Sequence, residues 1–173
     1  MKKKIIALTQ RIEISKKGKE VRDCIDQNLI KFVFKCGFVP IQIPNYGEVK
    51  KNNNIFLSYL LNRVKIHGIV LSGGNDLGEF RSRDIVEFQL LNFARKKRLP
   101  VLGICRGMQV INKFEGGKLV KIKGHVGKSH LIYDFHNSKK KIMVNSYHSN
   151  KAYNYFTAVS SNKKTDAWSS LDA

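Results

Sequence analysis

A short stretch near the middle of the chain combines a thiol with closely spaced glycines. Cys105 lies in the sequence Gly103-Ile104-Cys105-Arg106-Gly107, after an apolar run and before a segment of helical periodicity. A strand that enters Gly-x-Cys-x-Gly and then a helix is typical of a nucleophile elbow, in which glycines relieve the crowding at a sharp turn. The helix dipole favours a thiolate at this point, and the amide of Arg106 can donate to a developing oxyanion. The pattern therefore predicts a cysteine nucleophile at Cys105.

A pair of glycines follows another predicted strand. Ser72-Gly73-Gly74 comes directly after an apolar run at 68–71, and glycines there let the backbone approach a ligand or turn an amide inward. Ligands of open parallel sheets bind beyond the carboxyl ends of the strands, so this loop is expected near the cysteine elbow. A glycine pair after a strand is by itself more often a turn. Beside the elbow, it becomes a candidate second oxyanion donor.

The other cysteines and the histidines carry a weaker chemical signal. Cys24 and Cys36 fall on the apolar face of a predicted helix, which favours two buried structural thiols. Three cysteines are too sparse for a disulfide scaffold and indicate a reducing compartment. His125 and His130 are five positions apart with no cysteine or carboxylate cluster beside them, so no metal site is predicted. No cofactor is expected.

The chain is strongly basic, with 32 Lys and Arg residues against 13 Asp and Glu residues and a net charge of +19. A basic surface can bind nucleic acid, but lysine supplies 24 of these 32 cations and they are scattered in twos and threes. Base readout favours arginine, and single-strand binders add aromatic platforms that this sequence lacks. The charge instead indicates a solvated surface or attraction of an anionic small molecule, and only weak, non-specific nucleic-acid binding is expected.

Apolar periodicity predicts that strands and helices alternate along the first half of the chain, which favours βαβ crossovers and a mostly parallel sheet of the α/β class. A polar loop is predicted at 45–54. In the second half, short strands follow one another without helices, which predicts an antiparallel extension. The predicted strands are 4–8, 38–43, 68–71, 100–104, 119–122, 141–144, 155–159 and 167–168, and the predicted helices are 19–36, 55–65, 84–98 and 107–114.

The size and the apolar content of the chain predict one domain over residues 1–173 with a real core. No apolar run is long enough to span a bilayer, so no membrane partner is expected. The basic N-terminus lacks the long apolar stretch and the cleavage site of a signal peptide, which favours a cytoplasmic location.

Several motifs in the chain occur together in one known family. They are Ser72-Gly73-Gly74-Asn75-Asp76, Arg83-Asp84 with Glu87, Gly103-Ile104-Cys105-Arg106-Gly107-Met108-Gln109-Val110-Ile111-Asn112, Gly116-Gly117, Gly124-His125 and Val144-Asn145-Ser146-Tyr147-His148. In these motifs the chain resembles class I glutamine amidotransferases, and within them the gamma-glutamyl hydrolase group, which is similar to peptidase family C26. The resemblance implies a flavodoxin-like amidotransferase fold.

The resemblance also implies roles for individual residues. The thiolate would attack a glutamine-type γ-carbonyl, and water would later release glutamate from a γ-glutamyl thioester. The implied roles are Cys105 as the nucleophile, Gly74 and Arg106 as oxyanion amides, Gln109 as a contact to the glutamyl group, Ser146 and Tyr147 as backbone partners of its α-amino and α-carboxyl groups, and His148 as a residue that lines the site.

The sequence departs from the family at the catalytic base. In the family, the base and the carboxylate that orients it come from a Trp-His-Pro-Glu-type motif, and no His-x-Glu follows His148 in this sequence. The domain is therefore expected to be incomplete at its C-terminal end. Two alternatives stay open: His148 serves as the base, or the domain is catalytically inactive and acts as a binding module.

The resemblance indicates a substrate class. Single-domain members of this branch cleave γ-glutamyl conjugates. A subgroup with a similar Thr9-Gln10-Arg11 segment resembles enzymes of surface-polysaccharide biosynthesis that release glutamate from a nucleotide-linked γ-glutamyl phosphoramidate. The expected partner is thus a small γ-glutamyl substrate, with an anionic or nucleotide-linked one suited to the basic surface. The oligomeric state stays open, a homodimer included.

Overall fold

The computed structural model describes residues 3–16, 19–46, 49–50, 53–121, 126–133, 141–146 and 150–153. Strands and helices alternate in its first two thirds, and strands alone follow. The strands are β1 (Ile5–Leu8), β2 (Arg11–Ile14), β3 (Val21–Cys24), β4 (Val39–Gln42), β5 (Val49–Lys50), β6 (Asn53–Asn54), β7 (Gly68–Leu71), β8 (Val101–Gly103), β9 (Lys118–Lys121), β10 (Lys128–Tyr133), β11 (Lys141–Ser146) and β12 (Asn150–Tyr153). The helices are α1 (Gln27–Lys35), α2 (Ile55–Arg63), α3 (Arg81–Lys97) and α4 (Arg106–Phe114).

A four-stranded sheet forms the centre of the described part of the chain. Its strand order is β4-β1-β7-β8, and all three pairings are parallel. A helix lies between consecutive members of this sheet, as parallel neighbours require. The chain order reverses direction between β1 and β7, and such a switch point is where α/β sheets place their ligands. The predicted α/β class with a parallel sheet is confirmed.

Apolar residues pack on both faces of this sheet. Successive residues of a strand point to opposite faces, so Ala7 and Leu8 of β1 belong to different clusters. Ala7 packs with residues of α2, α3 and α4, among them Leu57 and Leu90. Leu8 packs with Val33 of α1 on the other face. Burial of side chains of this size stabilises the fold by about 1.5–3 kcal/mol each, which holds the carboxyl edge of the sheet rigid.

The start of the first helix differs from the prediction of 19–36. β3 pairs antiparallel with β2, and α1 begins only at Gln27, with the Asp26 side chain accepting a hydrogen bond from the amide of Asn28 at 2.8 Å. Strand pairing in this hairpin therefore overrides the helical spacing of the apolar residues. Val21 and Phe32 are two of the apolar residues with this spacing, and they are 68% and 55% exposed.

After α4, the described part of the chain consists of antiparallel strand pairs. β10 pairs with β11, and β9 pairs with β12. The predicted antiparallel extension is confirmed for these residues, while the strands predicted at 155–159 and 167–168 lie outside the described ones. The predicted loop at 45–54 contains the two-residue strands β5 and β6. Within the described residues, no helix combines the length and the apolar character that a membrane crossing needs.

Candidate active site

The chemistry-bearing residues lie where three neighbouring strands of the sheet end. Thr9 follows β1, Ser72 follows β7, and Cys105 follows β8 by two residues. Backbone hydrogen bonds hold these ends together: the Thr9 amide donates to the Val70 carbonyl at 3.0 Å, and the Ile104 amide donates to the Leu71 carbonyl at 2.9 Å. The sheet thereby brings the two loops that the sequence singled out to one edge.

Cys105 occupies a sharp turn between β8 and α4. Its backbone has φ of +52° and ψ of −108°, a left-handed conformation that costs a residue with a side chain about 1–3 kcal/mol. The side chain is exposed and makes no capping hydrogen bond to the helix. The thiol therefore stands at the positive end of the helix dipole, where an anion is stabilised.

The glycines on either side of Cys105 are required by close backbone contacts. A Cβ atom on Gly103 would lie 2.6 Å from the backbone carbon of Gly107. A Cβ atom on Gly107 would come within 2.2 Å of the carbonyl oxygen of Leu71. Only glycine fits at both positions, because α4 crosses directly over the ends of β8 and β7. This is the geometry of a nucleophile elbow.

The loop after β7 lies beside the thiol. A Cβ atom on Gly73 would be 3.5 Å from the Cβ of Cys105. Gly74 is exposed and has φ of +79°, and the side chain of Arg11 packs so closely on it that an added Cβ would lie 2.9 Å from Arg11 Cδ. This loop is therefore within reach of any group bonded to the sulfur.

Arg83 of α3 lies under this loop with no exposed surface. Its guanidinium donates to the carbonyl oxygens of Ser72, at 3.0 Å, of Gly73, at 3.0 Å, and of Gly74. It also donates to Oδ1 of Asn75 at 2.9 Å. One side chain thus binds three successive peptide groups and the next side chain.

Arg83 belongs to a buried network of charges that continues to the elbow. Its Nε donates to Glu87 at 3.1 Å, and Glu87 accepts further hydrogen bonds from Thr9 Oγ1 at 3.0 Å and from Arg106. Arg106 also pairs with Asp84 at 2.5 Å. Two guanidinium groups therefore face two carboxylates, a balance that a buried site requires. The Arg106 side chain points into this network and is 2% exposed, so only its backbone faces the thiol side of the turn.

Burial changes the proton affinities of this network. It raises the pKa of Asp84 above its ordinary value, although the neighbouring Arg106 guanidinium acts in the opposite direction. It also lowers the pKa of Arg83, which the Glu87 carboxylate partly offsets.

A cavity of about 320 Å³ opens between the loop after β7 and the β2–β3 hairpin. Gly73 and Ile104 line it on the elbow side, and Arg11 and Cys24 line it on the hairpin side. Burial raises the pKa of the Cys24 thiol, so it is less ionised than an ordinary thiol at neutral pH. The prediction of a buried helical Cys24 is wrong, because this residue lies half-buried on β3.

Cys36 also differs from the prediction. It caps the C-terminal end of α1 and is exposed. The helix turns its outer side to solvent at this point, since Val33 is the residue of α1 that is buried.

The remaining predicted site residues are described to different extents. Gln109 lies on α4 one turn after Cys105 and is 3% exposed. Its backbone amide donates to the Cys105 carbonyl at 3.3 Å, as in an ordinary helical turn. Ser146 ends β11. Tyr147, His148 and His125 lie outside the described residues. The roles of all four substrate-contact residues therefore stay predictions.

Two features of the site were missed by sequence reasoning. Arg83 and Glu87 served only as parts of a motif, and the side chain of Arg106 had no role. The signal was present, because Arg and Glu four residues apart share one helix face.

Among the described residues no group of three or more His, Cys, Asp and Glu could hold a metal ion. His67 lies apart from the buried network, at the opposite edge of the sheet, where its Nδ1 accepts a hydrogen bond from the Ile5 amide at 3.0 Å.

Comparison with known proteins identifies the class to which this fold and site belong. The family model of class-I glutamine amidotransferases matches residues 18–172. The chain belongs to this family, and its fold is the flavodoxin-like amidotransferase fold. A solved structure of a glutamine amidotransferase from Thermotoga maritima superposes with a TM-score of 0.58 and 18% identity, covering 88% of this chain and 64% of that one. The resemblance drawn from the motifs is confirmed.

Two proteins of known name are similar to this chain in sequence. The gamma-glutamyl-CDP-amidate hydrolase of Campylobacter jejuni is 30% identical over 149 residues, which covers 83% of this chain and 69% of that enzyme. Anthranilate synthase component 2 of Cyanophora paradoxa is 32% identical over 111 residues, which covers 58% of this chain and 54% of that protein. The chain thus spans between about half and about two thirds of the length of these relatives. The homology is consistent with a C–N hydrolase and supports amide hydrolysis of the glutamine amidotransferase type.

Proposed function

We propose that this chain hydrolyses the C–N bond of a γ-glutamyl amide with Cys105 as the nucleophile. The observation that carries this proposal is the strained, exposed turn of Cys105 at the start of α4, held there by the contacts of Gly103 and Gly107. A backbone strained in this way persists only where the surrounding structure imposes it, and such strain is found mostly at functional sites.

The reaction follows from the groups around the sulfur. The Cys105 thiolate attacks the γ-carbonyl carbon, and the carbonyl oxygen becomes an oxyanion that accepts hydrogen bonds from the amides of Gly74 and Arg106. Arg106 is the first residue of α4, where an amide has no acceptor within the helix. The intermediate collapses, the protonated amine leaves, and a γ-glutamyl thioester remains. Water then attacks the thioester, which releases glutamate and regenerates the thiolate.

Substrate binding is proposed for the residues that the resemblance to the family implies. Gln109 is one helical turn from Cys105 and is proposed to contact the glutamyl group. Ser146 and Tyr147 are proposed to bind its α-amino and α-carboxyl groups through their backbone, and His148 to line the site. A general base must accept and return the protons, and His148 is the candidate that the sequence offers.

The proposed substrate is an anionic, nucleotide-linked γ-glutamyl conjugate. The net charge of +19 favours such a substrate over a neutral one, because a basic protein concentrates anions near its surface. The name of the Campylobacter jejuni relative points to the same substrate class. The 173 residues are proposed to act as one amidotransferase-like domain.

The test is the release of glutamate from γ-glutamyl-CDP-amidate and from glutamine, measured with the 173-residue chain and with Cys105→Ala. Cys24→Ala is the matched control, since it removes a thiol that lines the neighbouring cavity without touching the elbow. Turnover that survives Cys24→Ala and is lost in Cys105→Ala supports the proposal. Equal background in all three proteins refutes it, and substrate binding without turnover would instead identify a binding module.

A further inference from the structure

Three carbonyl groups of the loop after β7 point to one buried cation. The carbonyls of Ser72, Gly73 and Gly74 all accept hydrogen bonds from Arg83, whose side chain has no exposed surface. The charge of Arg83 is already paired through one nitrogen, because its Nε contacts the Glu87 carboxylate. The two Nη groups are therefore left to bind the loop.

Peptide geometry converts this arrangement into a direction for the amides. The described residues contain no cis peptide bond, and in a planar trans peptide the carbonyl of one residue and the amide of the next point in opposite directions. A Gly73 carbonyl that faces Arg83 thus turns the Gly74 amide away from the guanidinium. Arg83 is on the buried side of the loop, whereas Gly74 and Cys105 are exposed. The amide consequently faces the side on which the thiol stands.

Further contacts keep the loop from rotating. The Ser72 amide donates to Thr9 Oγ1 at 2.9 Å. Asn75 fixes the other end, because its side chain accepts from the Ile12 amide at 2.8 Å and donates to the Ile12 carbonyl at 3.1 Å. Between these two anchors, the peptide groups of the glycines are held by Arg83. Glycine peptides rotate freely unless something holds them.

We propose that Arg83 is a positioning residue that orients the Gly74 amide as an oxyanion donor. This role rests on the hydrolytic function proposed above. It adds that the Arg83 guanidinium fixes the orientation of one of the two amides of the oxyanion hole. Arg83 itself does not touch the substrate. The planar fork of a guanidinium carries five donors, while a lysine ammonium carries three donors at one point, so lysine preserves the charge but not the set of carbonyl contacts.

The test is Arg83→Lys, with Arg95→Lys as the matched control. Arg95 lies on the same helix, and its ion pair with Glu115 is on the surface, where its side chain is 58% exposed. We expect Arg83→Lys to lower kcat about 10–100-fold with KM changed less than about threefold, because a displaced oxyanion donor weakens the transition state alone. We expect Arg95→Lys to match the wild-type protein.

A second readout separates positioning from a general loss of structure. A γ-glutamyl aldehyde adds to the Cys105 thiol, whose proton passes to the oxygen, and that oxygen then occupies the oxyanion position. The affinity of Arg83→Lys for the aldehyde is expected to fall by the same factor as kcat, while the rate of Cys105 alkylation by iodoacetamide stays at the wild-type value. If kcat is unchanged, or if kcat, KM and alkylation all change together, the role of Arg83 is structural and the proposal is overturned.

Crystal structures keep this inference distinct from the proposed function. If the wild-type chain shows no turnover, the proposed function fails, and the orientation is then decided by the structure of Arg83→Lys. A rotated Gly73–Gly74 peptide supports the inference, and an unchanged one overturns it. If Arg83→Lys does not fold, the wild-type aldehyde adduct decides. Its oxygen is expected within hydrogen-bond distance of the Gly74 amide, and an oxygen bound elsewhere contradicts the proposal.

Discussion

Gly107→Ala tests whether the elbow is built by backbone contact. Gly107 is the second residue of α4, and alanine normally stabilises a helix relative to glycine by up to about 1 kcal/mol. At this position the new Cβ would lie 2.2 Å from the Leu71 carbonyl oxygen and 2.7 Å from Leu71 Cβ. The same carbonyl accepts the hydrogen bond from the Ile104 amide at 2.9 Å. Helix propensity and the observed contacts therefore predict effects of opposite sign.

The close contacts of the new Cβ with Leu71 are expected to outweigh the gain in helix propensity. Overpacking a core costs about 1–3 kcal/mol and occasionally more, and the upper part of this range applies where the obstructing atoms are backbone atoms that cannot rotate away. After the gain in helix propensity is subtracted, we expect Gly107→Ala to lose about 2 kcal/mol of unfolding free energy. We also expect glutamate release to fall, because α4 must move away from β7 and carries Cys105 with it.

Urea unfolding followed by circular dichroism measures this loss. Gly73→Ala is the matched control, since its Cβ would meet nothing closer than 3.5 Å and its φ is not positive. Its stability should stay within about 0.5 kcal/mol of the wild-type value. If Gly107→Ala is as stable as the wild-type protein, the close crossing of α4 over β7 is refuted.

Two further substitutions probe the loop and the buried charges. Asn75→Ala removes the hydrogen bonds to Ile12 and Arg83 and places alanine at a φ of +56°, so we expect it to lose about 2–3 kcal/mol of unfolding free energy in urea. Asn75→Gly relieves the φ strain, so its remaining loss isolates the contribution of the hydrogen bonds. Equal stability of Asn75→Ala and the wild-type protein would contradict the anchoring of the loop by Asn75. For Asp84, the raised pKa means that the folded protein binds this proton more tightly than the unfolded chain. The stability of the wild type relative to Asp84→Asn should therefore fall as pH rises above about 4, the ordinary pKa of an aspartate, and a relative gain with rising pH would refute the assigned shift.

The elbow could be predicted from the sequence because its determinants are local. Gly103, Cys105 and Gly107 lie within five positions, and each acts through the turn that they form together. The parallel sheet was predictable for a related reason, since buried strands and amphipathic helices alternate with clear spacing. Where local chemistry decides the structure, the sequence alone is informative.

The buried charges and the first hairpin could not be predicted in the same way. The sequence alone does not show that the side chains of Arg83, Glu87 and Arg106 are buried, because they are removed from water only when α3 and α4 pack together. Pairing with β2 likewise makes a strand of residues that have helical spacing, and α1 begins only after Asp26, whose side chain caps it. Contacts between separate elements decide both cases, and the apolar periodicity of one segment does not show such contacts.

The central claim is that Cys105 carries the glutamyl group between the two halves of the reaction. The most direct measurement is the intact mass of the protein after rapid mixing with γ-glutamyl-CDP-amidate and quenching in acid, followed by peptide mapping. The proposed mechanism predicts an added mass of one γ-glutamyl acyl group on the peptide that contains Cys105, and no such adduct in Cys105→Ala. Glutamate release by the wild-type chain with an adduct on another residue, or with none during turnover, would contradict it.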